Sequence, residues 1–65
     1  MIRVNGNTVT DADGLTVAGF LEREGYRRER IAVERNGAIL PKACYEAAIL
    51  EDGDLLEVVS FVGGG

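Results

Sequence analysis

The 65-residue chain contains no histidine, one cysteine and one proline. Without histidine it has no side chain whose unperturbed charge changes near neutrality. That removes the usual general base and the commonest metal ligand. A single cysteine cannot close an internal disulfide, whereas small secreted domains usually carry several. No apolar run approaches the roughly 20 residues that a membrane span needs. Positive charge is scarce too: seven Lys and Arg stand against eleven Asp and Glu, a net charge of −4. A phosphate backbone would repel such a chain. The start, Met1-Ile2-Arg3-Val4-Asn5-Gly6, has neither the basic opening nor the long apolar centre of a secretory leader. These absences lead us to expect a cytoplasmic protein that binds neither nucleic acid nor membrane and is not an enzyme acting alone.

What is present is the composition of a folded domain. With 46% hydrophobic and 28% charged residues, the chain carries enough apolar surface to repay the entropy of ordering. A chain this short buries only about 60% of the surface its unfolded form exposes, so the core is small. We expect one domain over residues 1–62, followed by a flexible glycine tail at 63–65.

Two Asn-Gly pairs punctuate the sequence, at 5–6 and 36–37. Each lies between β-prone runs, where both residues tolerate the positive φ of a tight hairpin turn. The first joins strands expected at about 1–5 and 7–11. The second joins Ile31–Arg35, with Ile31, Val33 and Arg35 on one side, to a short strand Ala38–Leu40 that Pro41 ends. Between the hairpins, Leu15–Glu24 reads as a helix: Thr16 is its N-cap and Val17, Phe20 and Leu21 form one apolar face. Gly25 suits the left-handed position after the helix, with Tyr26 reaching back to Leu21. Lys42–Ala48 holds one irregular helical turn. Leu55–Phe61 is the best strand of the chain. Leu56 and Val58 should face the helix, and Leu55, Glu57 and Val59 the other way. Its nearly continuous apolar character predicts a central strand covered on at least part of both faces. Hairpin, helix, short hairpin and strand describe an α+β roll, with the first and last strands parallel in the middle of a mixed sheet of four to five strands.

Most candidate motifs have a plain structural explanation. Cys44 has no histidine to activate it and reads as a buried or half-buried small hydrophobe. Asp11-Ala12-Asp13-Gly14 opens like a calcium loop, but Leu15 and Thr16 break the ligand pattern. Arg27, Arg28 and Arg30 form a charged loop. Glu46, Glu51, Asp52 and Asp54 read as surface charges.

Gly63-Gly64-Gly65 is different, because it follows directly on a strong strand. Glycine has no Cβ, so such a tail is thin enough to thread a narrow channel and present the Gly65 carboxylate to another protein's active site. The run from Asp52-Gly53-Asp54 to Gly64-Gly65 resembles the end of the ThiS family of sulfur carriers. Val33 to Pro41 and Met1 to Gly6 are similar to that family's middle and start. The resemblance spans the whole chain and implies a β-grasp, ubiquitin-like roll with one main helix packed across one face. It also implies a chemistry. An E1-like (ThiF-like) adenylyltransferase would activate the Gly65 carboxylate with ATP, with no cofactor bound to the carrier itself. A persulfide donor would convert it to a thiocarboxylate, and a thiazole synthase (ThiG-like) would receive the sulfur. Gly63 and Gly64 would serve as tail, and the carrier would be a monomer. Leu55, Val59 and Phe61, with Glu57 among them, would form the docking strip on the sheet face opposite the helix. The same tail chemistry fits a carrier for molybdopterin or cysteine synthesis, or a ubiquitin-like modifier.

Overall fold

A computed structural model describes residues 1–61. The elements are β1 (Ile2–Val4), β2 (Asn7–Val9), α1 (Val17–Arg23), β3 (Ile31–Arg35), β4 (Ala38–Leu40) and β5 (Leu55–Ser60), with short 3-10 turns at Arg28–Arg30 and Lys42–Cys44. The strands form one five-stranded sheet in the order β2-β1-β5-β3-β4, in which β1 and β5 are parallel and the other pairs antiparallel. This is the mixed α+β roll expected from the element order, with β5 at its centre.

Both hairpins turn as the Asn-Gly pairs require. Asn5 and Gly6 have φ of 51° and 84°, and Asn36 and Gly37 have 52° and 85°. The first two strands are shorter than expected. β2 stops at Val9, and Asp11, at φ 61°, breaks the extended run.

Both helix ends are capped. The Gly19 N–H donates to Thr16 Oγ1 at 2.9 Å, and those of Val17 and Ala18 donate to the Ala48 and Tyr45 carbonyls. These donors would otherwise be orphans of the first turn. Residues 45–48, the least legible stretch of the sequence, therefore act as a backbone cap. At the other end, Gly25 N–H donates to the Glu22 carbonyl and Tyr26 N–H to that of Leu21, closing a Schellman motif.

One face of the sheet holds the core. Ile2, Val4, Ile31, Val33, Leu56 and Val58 point from the strands toward Val17, Phe20 and Leu21 of α1, and Tyr45 and Leu50 close the side. The other face is not covered by any described part of the chain, contrary to the expectation of partial cover on both. Leu55 and Val59 remain 54% and 48% exposed on it, because the sequence supplies one helix and that helix occupies the first face.

Two further expectations need correction. Cys44 is exposed. At the end of its 3-10 turn the carbonyl accepts from Ala47 and Ala48, and the neighbouring Tyr45 takes the interior position. Asp54 is buried rather than a surface charge, for the reason given below. The charged loop also proves more ordered: Arg28 lies over the Tyr45 ring at 5.2 Å, donates to the Lys42 carbonyl at 3.1 Å and pairs with Glu46. Those hydrogen bonds hold the Glu46 carboxyl below its usual range. Arg28 is a lid on Tyr45.

Candidate functional site

The site grows out of β5, because the sequence singled out its exposed side chains and the glycines beyond it. Alternation along an extended strand sends successive side chains to opposite faces. Leu56 and Val58 are buried, while Leu55, Glu57, Val59 and Phe61 are exposed, as their spacing predicted. Gly63, Gly64 and Gly65 lie outside the described residues.

Strand register shows what surrounds these side chains. Val59 is paired with Ala32, and Glu57 with Glu34, across β5 and β3. Glu34 is in turn paired with Ile39 on β4, and Leu55 with Arg3 on β1. The outer face thus reads in rows: Leu55 beside Arg3, then Glu57-Glu34-Ile39, then Val59-Ala32. Phe61 follows, with its N–H donating to the Arg30 carbonyl at 2.8 Å. Ile39 is 77% exposed and Phe61 53%. Ala32, Glu34 and Ile39 were not singled out from the sequence. The alternation of Ile31, Val33 and Arg35 placed Ala32 and Glu34 on the opposite side, but only the pairing brings them beside Glu57 and Val59.

Polar clamps fix β5 in this position. Asn5 Oδ1 accepts from the Val58 N–H at 2.8 Å and its Nδ2 donates to the Val58 carbonyl at 3.1 Å. Asn36 Oδ1 accepts from the Leu55 N–H at 2.9 Å, and its Nδ2 donates to Asp54 at 3.2 Å. Both hairpin turns therefore grip the central strand through their asparagines.

Asp54 anchors the start of that strand. Its carboxylate accepts from Arg35 Nη2 at 2.7 Å and Nε at 3.1 Å, and from the Glu51 N–H at 2.9 Å. Burial alone would push its pKa up. The hydrogen bonds from Glu51, Arg35 and Asn36 outweigh that and hold it below the usual carboxylate range. Arg35 also donates to the Ile49 carbonyl at 2.7 Å. A buried carboxylate is tolerable here because a half-buried guanidinium and a backbone amide occupy its lone pairs.

Among the described residues no group of three or more His, Cys, Asp or Glu is arranged to hold a metal ion. A hollow of about 520 Å³ is an open cleft between the end of α1 and the Arg28 turn, lined by Leu21, Tyr26, Arg28 and Glu46 among others. It does not include the β5 side chains. What the outer face offers is a surface: apolar side chains around a pair of carboxylates, beside the end of the central strand.

The family model described as "ThiS family" matches residues 2–65, the whole described sheet and the glycines after it. The chain belongs to the ThiS family. A crystal structure of thiamine biosynthesis protein ThiS from Geobacter metallireducens has the same β-grasp fold, with a TM-score of 0.79 and 36% identity over 98% of this chain and 97% of that one. The sulfur carrier protein ThiS of Bacillus subtilis is 36% identical, with the match covering 100% of both chains. A thiazole synthase of Magnetococcus marinus is 41% identical over 64 residues, which is 98% of this chain but 20% of that protein. The chain thus spans about a fifth of the length of that relative, so this ThiS-family fold also occurs as part of a larger protein.

Proposed function

We propose that this ThiS-family protein is the sulfur carrier of thiamine biosynthesis and that its reacting group is the carboxylate of Gly65. The observation that carries the reading is the family match through residues 2–65, which includes the glycines that follow the central strand. The name of the full-length Bacillus subtilis relative supports the carrier role, and the similarity to a thiazole synthase favours the thiazole branch over other sulfur-accepting pathways.

The chemistry asks little of the carrier's own side chains. A carboxylate is a poor electrophile, and adenylation by an E1-like enzyme with ATP gives it a leaving group. The outer sulfur of a persulfide donor then attacks the acyl carbon and displaces AMP to give an acyl disulfide; a thiol reduces that disulfide and releases the thiocarboxylate, a good nucleophile at neutral pH. It passes its sulfur to a thiazole synthase. The carrier acts as co-substrate, and its own task is recognition, which suits a chain without histidine.

Intact mass tests this. The protein is incubated with the activating enzyme, ATP, a persulfide donor and a thiol reductant. The expected product carries the mass gain of one oxygen exchanged for sulfur, and proteolysis places it at Gly65. A variant lacking Gly64 and Gly65 should gain nothing while melting with the full chain. An unmodified wild-type protein beside partner enzymes that modify another carrier would overturn the proposal.

A further inference from the structure

Tyr45 is fully buried, and its hydroxyl has no hydrogen-bond partner among the described residues. Such a group forfeits its bonds to water and gains none in return. Over its ring lies the Arg28 guanidinium, 5.2 Å from the centroid, whose Nη2 donates to the Lys42 carbonyl and to Glu46 Oε1, each at 3.1 Å. The Arg28 and Glu46 side chains are 41% and 67% exposed, so water screens the pair and the latch is weak. The open cleft beside it, lined by both residues, leaves the guanidinium room to swing away. The same three-residue turn, Arg28–Arg30, ends at the root of the tail. The Arg30 N–H donates to the Arg27 carbonyl at 2.9 Å, and its carbonyl accepts from the Phe61 N–H at 2.8 Å. Phe61 lies one residue past the last ladder pair, Ile31–Ser60.

We infer that Arg28 is a positioning residue for the root of the tail: closed over Tyr45 it fixes the turn so that the Arg30 carbonyl holds Phe61, and when it lifts that bond is released. The link to activation rests on the proposed carrier function. A three-residue turn is too short to absorb a movement at Arg28. Ile31 beyond it is buried and paired with Ser60, so the displacement falls on the Arg30 peptide, whose carbonyl then turns from Phe61. Two opposed effects of similar size keep the lid near balance. Closure gains charge-assisted bonds that exposure weakens, and it leaves the Tyr45 hydroxyl dry; opening gives water a route to that hydroxyl. A held root lessens the ordering that the activating enzyme must impose when it takes the tail. That saving is made on binding, so it belongs to KM and leaves kcat unchanged.

The test is amide hydrogen exchange in the free protein, read by NMR at Phe61, with the Val58 amide, held by Asn5, as the reference. Arg28→Gln should speed exchange at Phe61 about threefold or more without a matching change at Val58. Arg28→Lys keeps the charge facing Glu46 but not the fork, and should fall between Arg28→Gln and wild type. Tyr45→Phe removes the dry hydroxyl and should act the other way, slowing exchange at Phe61. In ATP–pyrophosphate exchange by the activating enzyme, Arg28→Gln should raise the KM for the carrier about threefold with kcat unchanged. Circular dichroism checks folding, and Glu46→Gln breaks the same latch should Arg28→Gln not fold. An unchanged Phe61 rate, equal acceleration at Phe61 and Val58, or faster exchange in Tyr45→Phe would overturn the inference. A faster Phe61 amide beside an unaltered KM would remove Arg28 from activation. Failure of the carrier reading looks different: wild type would support no pyrophosphate exchange, while the amide rates would stand.

Discussion

The side chain of Asn5 is hydrogen-bonded to both backbone groups of Val58, 53 positions away in sequence, at 2.8 and 3.1 Å. It occupies a left-handed turn position, with φ of 51°, and at the same time extends the β1–β5 ladder where β1 has already ended. Two substitutions separate these roles. Asn5→Gly keeps the backbone freedom and loses the clamp; Asn5→Ala loses both. Urea denaturation should show Asn5→Gly destabilised by about 1–3 kcal/mol for the two bonds, and Asn5→Ala by more. Equal stability of Asn5→Gly and wild type would mean that the clamp contributes nothing.

Asp54 makes the fold sensitive to acid. Its carboxyl is held below its ordinary range in the folded state. A group with a depressed folded pKa stabilises the fold above its unfolded pKa and loses that contribution as pH falls through the folded value. Wild type should therefore lose stability progressively below about pH 4. Asp54→Asn should be less stable at pH 7 by about 1–3 kcal/mol, since Arg35 and the Glu51 amide lose a charged partner. Its stability should also vary less with pH across the acid range. Thermal melts between neutral and acid pH compare the two slopes.

Adjacent valines on β5 distinguish the two faces. Val58 is 7% exposed and Val59 48%. Val58→Asp places an unpaired carboxylate in a small core and should unfold a domain whose whole stability is about 5–15 kcal/mol. Val59→Asp should leave the circular dichroism spectrum unchanged and weaken binding to the activating enzyme in a titration.

Cys44 is exposed and takes no part in the core. Cys44→Ser should change stability by no more than about 0.5 kcal/mol and leave sulfur loading at Gly65 intact. Loss of loading in this variant, with the fold preserved, would place Cys44 in the sulfur relay.

The local features were legible because each depends on few neighbouring residues. Asn-Gly alone requires the hairpin turns, Thr16 with an apolar 3-4 spacing sets the helix, and alternation along Leu55–Ser60 assigns Val58 inward and Val59 outward. The glycines at 63–65, which carry the functional proposal, lie outside the described residues. Three features were decided by tertiary structure. Asp54 looks like a surface acid in the Glu51–Asp54 turn, and only folding brings Arg35 and Asn36 of the second hairpin to its carboxylate. Residues 45–48 show no periodicity, since their role is to lend carbonyls to the start of a helix nearly 30 positions earlier. Glu34 and Glu57 lie 23 positions apart and become a pair only through the β3–β5 register. Sequence determines which face of each strand a residue takes, because that follows from backbone geometry. Which residues share a row is set by strand order and register, and these emerge only when the whole core closes around the helix.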